Sequence, residues 1–422
     1  MTSSQPQRAG FSPQRLARVD RLLERYVHGG YLAGALALIY RRGEVAHFTA
    51  IGQREVETGR PMTEDTIFRI YSMTKPVTSV AALMLYEDGQ FLLDDPLSLY
   101  MPEFEEMWVY TGHLDNLVTP NRPITVKDLF LHTSGLSYGW GVGEPVEGLY
   151  RQALGDYGTL TLENLVQKLA TLPLLFHPGE CWHYGYATDV LGRLIELLSG
   201  QSLDRFLSQE ILKPLGMTDT AFSVPAASMD RFAACYGPVG GFDFGDEFPP
   251  IPRPEFDPTH DPASISEPKF ELEDAPSSST YAKLPLFLSG GGGLVSTVDD
   301  YLRFAQMLLN DGILDGNRLL GRKTVEMIRT NHLPPELIPI EVGGGADPGC
   351  GFGLGVRVMV DLPASNALGS PGIYGWSGAA LTDFWIDPLE EMIGLLMAQY
   401  LPIDHYLISR EFRLATYQAL ES

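Results

Sequence analysis

Cysteine is scarce in this chain of 422 residues. Cys181, Cys235 and Cys350 are odd in number and far apart, which excludes a disulfide framework and gives no metal-ligand spacing. The nine histidines include no H-E-x-x-H pair, so no metal site is expected. Basic residues are outnumbered 30 to 53 by acidic ones. The resulting net charge of −23 repels nucleic acid and anionic membranes, which sets both aside as partners. No run of about 18 apolar residues occurs, so no membrane span is expected. The first residues, MTSSQPQRAGFSPQRLARVD, contain no apolar signal core. With reduced cysteines, this gives the expectation of a cytoplasmic location.

What is present is apolar material. At 44% hydrophobic residues, the chain has ample substance for a large core, arranged as two or three domains or one unit with lobes. Ser12-Pro13 opens a helix with Leu16, Val19, Leu22, Leu23 and Tyr26 at helical spacing. AGALALIY and EVAHFTAIG read as a hairpin joined at Arg41-Arg42-Gly43. A helix ending at Gly89 follows, and residues from about 90 to 235 are mostly helix and loop. LTDFWIDP and EMIGLLMAQY are strand-like, and a helix from about Tyr406 closes the chain.

The expected fold is α+β. Both ends of the chain share an antiparallel sheet, flanked by N- and C-terminal helices as an α/β/α sandwich, with a mostly helical lobe inserted. The expected division is 1–71 with 286–422 as the sheet domain, 72–241 as the helical domain, and 242–285 as an acidic, proline-rich, irregular excursion near the cleft between lobes.

Lys75 draws attention within RIYSMTKPVTSVAALMLYEDG. It stands at the head of a helix with little polar face, three residues after Ser72. Residues three apart share a helix face. A buried lysine resists charge, so it can accept a proton from a neighbouring hydroxyl. Ser-x-x-Lys also arises by chance, and Ser266-Glu267-Pro268-Lys269 is a second copy, in the proline-rich excursion where no helix holds the spacing.

Other segments admit two readings. GLSYG, with Ser137 at its centre, matches the nucleophile-elbow pattern but follows a helix end, where a glycine turn is the simpler reading. Tyr184 either buries a ring or acts as a general base beside an ammonium. The small residues around Trp376, Ser377, Gly378, Ala379 and Ala380 form either a tightly packed strand or a strand edge that admits a substrate. A main-chain N–H there could pair with that of Ser72 as an oxyanion hole. SGGGGLVST is either a flexible turn or part of the site.

Taken together, these segments resemble the serine β-lactamase-like hydrolases: class C β-lactamases, D-alanyl-D-alanine carboxypeptidases and, closest, family VIII carboxylesterases. Ser72-Met73-Thr74-Lys75 resembles the family S-x-x-K. Tyr184-Gly185-Tyr186 falls where the family has Y-x-N, and Trp376-Ser377-Gly378 where it has K-T-G or W-x-G. LHTSGL, PLGMTDTAF and SGGGGLVSTVDDYLRFA are similar to recurring family stretches. The resemblance implies a β-lactamase/transpeptidase-like fold and no cofactor. It implies Ser72 as the acylated nucleophile, Lys75 and Tyr184 as its proton-handling partners, and the N–H groups of Ser72 and Ala379 as the oxyanion hole. Trp376, Ser377, Gly378, Tyr186 and Tyr138 are the expected substrate contacts. Trp376 replaces a lysine that helps bind a substrate carboxylate. Tyr186 replaces an asparagine that contacts a substrate amide. These departures point to hydrolysis of short-chain, small-molecule esters with any β-lactamase side activity weak; the alternatives are an acyltransferase of the same fold or a β-lactamase or D-alanyl carboxypeptidase type of enzyme.

Overall fold

Arg42 and Gly43 both have positive φ, 49° and 85°. That conformation makes the two-residue turn whose twist suits a hairpin. It joins β1 (Gly34–Arg41) to β2 (Glu44–Glu55), with Arg41 opposite Glu44. The computed structural model describes residues 5–141, 143–155, 157–241, 267–342 and 345–422. A short β3 (Arg60–Pro61) follows β2. β4 (Cys235–Pro238) and β5 (Phe270–Asp274) form a separate pair. β6 (Cys350–Phe352), β7 (Arg357–Met359), β8 (Tyr374–Gly378), β9 (Thr382–Asp387) and β10 (Met392–Ala398) come from the end of the chain.

The main sheet has eight strands in the order β6-β7-β8-β9-β10-β1-β2-β3, antiparallel throughout. Both ends of the chain therefore contribute, and they join where Ala35 pairs with Ala398. β1 and β10 are buried on both faces, which explains their nearly continuous apolar runs.

The helices that bear on the sheet and the site are α1 (Pro13–His28), α2 (Thr74–Glu87), α3 (Val126–Leu131), α4 (Pro145–Leu154), α5 (Leu162–Leu169), α6 (Ala187–Ser199), α7 (Val298–Leu309) and α8 (Ile408–Tyr417). Neighbours on a strand point to opposite faces. The ring of Phe384 meets Tyr301 of α7 edge-on at 4.9 Å, while that of Trp385 stacks on Tyr417 of α8 at 5.3 Å. The two helices thus cover opposite faces, which makes the α/β/α sandwich. α1 packs beside α8, where Tyr26 donates its hydroxyl to Glu411 at 2.7 Å. α2 packs on α6 within the helical part of the chain.

One expectation needs correction. Residues 242–266, which include Ser266 of the second Ser-x-x-Lys, lie outside the described residues. The remainder of the supposed irregular excursion is in part regular: β5 pairs with β4. Asp274 at its end accepts from the Arg69 guanidinium at 2.8 Å. Arg69 is fully buried and needs that charge, so the acidic stretch is anchored three residues before Ser72. Among the described residues, no helix is long and apolar enough to cross a membrane.

Candidate active site

Ser72 lies in a short 3-10 turn, Tyr71–Met73, that leads into α2. Tyr71 has φ of 39°, in the left-handed region that a bulky residue avoids at a cost of about 1–3 kcal/mol. The turn is held from several sides. Ile70 N–H donates to Leu294 O, and Leu294 N–H donates to Thr74 Oγ1, both at 3.1 Å. Tyr301 donates to Met73 O at 2.8 Å. Gly378 of β8 presses on the same backbone: a Cβ there would stand 2.3 Å from Ile70 O. Only glycine allows that approach, which brings the end of β8 onto the turn. Ala379 and Tyr71 pack into one small cluster around Cys235, Ala380 and Leu401.

Lys75 is 2% exposed. Its ammonium nitrogen donates to Gly291 O at 2.7 Å and to Ser72 Oγ at 3.3 Å. It also stands over the Tyr184 ring, 4.4 Å from the centroid. Burial pushes its pKa down to about 7, against an upward pull from the Asp189 carboxylate. A neutral amine is therefore accessible near neutrality, one hydrogen bond from the serine.

Tyr184 reaches the same hydroxyl. Burial raises its pKa, and hydrogen bonds with Ser72 and Trp376 only partly offset this. The phenol thus keeps its proton at neutral pH. Trp376 donates its indole N–H to Tyr184 Oη at 3.2 Å, and its ring meets Phe352 edge-on at 5.2 Å. Trp376, one of the expected substrate contacts, is almost fully buried, and its indole N–H is committed to the tyrosine. His132, Trp182 and Tyr138 pack around the Tyr184 ring at 4.9, 6.0 and 5.4 Å. Tyr138 and Trp140 stack on each other at 4.6 Å and are half-buried, so they present aromatic surface at the rim. Tyr186 is buried against Tyr138. Ser377 donates to Asp383, its cross-strand partner on β9, at 2.7 Å.

Ser137 does not build a second nucleophile. It is 1% exposed, follows a helix rather than a strand, and donates to Glu147 Oε2 at 2.6 Å while accepting from Gly139 N–H. His183 Nε2 faces both Ser137 Oγ, at 3.1 Å, and Glu147 Oε1, at 3.3 Å. A triad needs the two ring nitrogens to serve different partners. The cluster instead ties the loop carrying Tyr138 to the residue before Tyr184. Burial pushes the Glu147 carboxyl up, but the bonds from His183 and Ser137 outweigh it and hold the group below its usual range.

The glycine-rich segment is a packed component. Thr78 donates to Gly290 O at 2.8 Å, so Gly290 to Leu294 runs along α2 from Thr78 back to Ile70. Sequence reasoning also passed over Asp189. In the first turn of α6 an acidic residue reads as an ordinary complement to the helix dipole. The overlooked signal is that it falls on the buried, apolar side of that helix.

The family model described as Beta-lactamase matches residues 19–415. Protein Rv1367c of Mycobacterium tuberculosis is 35% identical over 380 residues, covering 88% of this chain and 87% of that protein. Esterase EstB of Burkholderia gladioli is 32% identical over 389 residues, with the same shares covered. Among solved structures, EstCE1, a hydrolase with promiscuous acyltransferase activity, superposes with a TM-score of 0.75 at 27% identity, over 96% of this chain and 99% of that one.

Proposed function

The chain belongs to the Beta-lactamase family, and from that premise we propose that it is a serine carboxylesterase of the family VIII type, cleaving short-chain esters through an acyl-enzyme on Ser72. The observation that carries this reading is the contact of Ser72 with both a lysine lowered to about 7 and a phenol that keeps its proton. Neutral Lys75 takes the Ser72 proton as Oγ attacks the ester carbonyl. The negative oxygen that forms is met by the N–H groups of Ser72 and Ala379. Tyr184 gives its proton to the departing alcohol and recovers one from the Lys75 ammonium. Water then attacks the acyl-enzyme with the same groups in reverse, which returns the proton to Ser72 and releases the acid.

The esterase of Burkholderia gladioli supports ester cleavage as the reaction. An indole stands where the resembled family has a lysine, so this site has no such cation for a substrate carboxylate. The net charge of −23 also disfavours anionic substrates. Neutral esters fit better than β-lactams or D-alanine-ended peptides. The second reading, acyl transfer to an alcohol, is favoured by the likeness to EstCE1. Wild type and Ser72→Ala are compared on p-nitrophenyl butyrate, with nitrocefin in parallel and an alcohol acceptor added to a third set. Ester cleavage lost in the variant, with slow nitrocefin turnover in wild type, upholds the esterase. A new ester product outrunning hydrolysis moves the assignment to acyl transfer, and full activity in the variant removes Ser72 as nucleophile.

A further inference from the structure

Asp189 is a carboxylate without a role in the chemistry above, yet it is 1% exposed and built into the site. Its Oδ1 accepts the Ser289 hydroxyl at 2.6 Å and the Gly291 N–H at 3.0 Å. The carbonyl of the same Gly291 accepts from the Lys75 ammonium at 2.7 Å. One residue of main chain thus has its donor on the carboxylate and its acceptor on the amine. The space around it is closed. A Cβ at Gly291 would stand 2.5 Å from Asp189 Oδ2 and 2.7 Å from Tyr138 Oη, so no other residue type fits without displacing one of them.

We propose that Asp189 is the positioning residue that sets when Lys75 can act as a base, acting on the amine through space and through the Gly291 peptide. This rests on the reading of Ser72 as nucleophile and Lys75 as its base. A buried charge without a partner is expensive, and the buried lysine and carboxylate supply each other's counter-charge. The arrangement is a compromise. Burial alone would leave Lys75 neutral, permanently deprotonated and a weak base, whereas an exposed lysine would stay charged. The carboxylate holds the amine between these limits, where it both takes and returns a proton within one turnover.

The other groups facing the pair do not compete near neutral pH. Tyr184 keeps its proton because burial raises its pKa. His132 stays neutral because burial, and then the charge on Lys75, lower its pKa well below the usual range. Tyr138 reaches Asp189 as a hydroxyl donor, as does Ser289. Burial raises the Asp189 pKa while the charge on Lys75 pulls it down, so the two groups titrate as a pair.

The test is the pH dependence of kcat/KM for p-nitrophenyl acetate in Asp189→Asn. Removing the negative charge lowers the proton affinity of Lys75, so the acid limb of the profile moves to lower pH, by about one unit or more. A folded variant with reduced activity and an unmoved acid limb assigns Asp189 a packing role only and overturns the proposal. Ser289→Ala, at a half-buried position, removes a donor that spreads the carboxylate's charge, so the pull on Lys75 grows and the acid limb moves by a smaller amount toward higher pH. If Asp189→Asn does not fold, this variant decides the matter, an unmoved limb again overturning the proposal. Ser72→Ala run beside them separates the two levels: activity retained there removes the underlying reading, whereas activity lost there with unmoved limbs removes only the role of Asp189.

Discussion

The indole N–H of Trp376 donates to the hydroxyl of Tyr184 at 3.2 Å, across nearly two hundred residues of sequence. A neutral donor at this point fixes the phenol oxygen without adding positive charge. Burial keeps the proton on Tyr184, whose hydroxyl is also hydrogen-bonded with Ser72. Tyr184 is therefore suited to give a proton to a leaving alcohol rather than to hold a negative charge of its own.

Trp376→Phe keeps most of the ring and removes the donor. The lost bond is of the order of 0.5–1.5 kcal/mol, roughly twofold to thirteenfold in rate. The loss is expected in kcat with KM nearly unchanged, since the indole is buried behind Tyr184. Steady-state kinetics on p-nitrophenyl butyrate decide it, and a change confined to KM would instead make Trp376 a substrate contact.

Lys75 gives a stability test with a definite sign. Its folded pKa of about 7 lies below the free value of 10.5, so between those limits the unfolded chain binds more protons than the folded one. Stability gained from this group is present above the unfolded value and is lost as pH falls through about 7. Lys75→Met removes that dependence and, by the same reasoning, removes the ester hydrolysis. Wild type is expected to gain melting temperature relative to this variant as pH rises from 7 toward 10, on top of a fixed offset from the carboxylate of Asp189 left without its counter-charge. Thermal melts at acid and alkaline pH check this, and a constant difference would place the lysine outside the titrating set.

Ser137→Ala separates the two serines. Ser137 satisfies a buried glutamate and a main-chain N–H, so its removal leaves Glu147 short of a donor and destabilises the fold by about 1–3 kcal/mol. Labelling of Ser72 by a fluorophosphonate probe is expected to persist in this variant. Mass spectrometry of the labelled peptide reads the outcome, and a label on Ser137 in wild type would reverse the assignment.

The hairpin, the first helix and the closing strands were legible because each is local: period, turn residues and caps lie within a few positions of one another. Ser72, Lys75 and Tyr184 were legible only as spaced motifs, and the resemblance lent them weight that single patterns lack. What stayed hidden depends on distant partners. Ser137 finds Glu147 ten residues on and His183 forty-six residues on. Gly291 is restricted by Asp189 and Tyr138, which no window of sequence brings together. FELED at 270–274 carries three acidic residues in five, which strands disfavour, so its strand depends on pairing with Cys235–Pro238. Trp376 reads as an apolar surface until its one polar atom is seen to have a partner.

The pairing of Ala35 with Ala398 carries a consequence for synthesis of the protein. At about 5–20 residues per second, β1 leaves the ribosome roughly 20–70 s before the strand that completes its hydrogen bonding. During that interval GALALIYR offers an open, apolar edge to any other extended chain. Residues 72, 184, 291 and 376 likewise meet only after most of the chain has been made. Nascent chains are therefore inert as enzymes and adhesive as strands until β10 arrives. Shielding of that edge during the interval therefore bears on how much active protein is recovered.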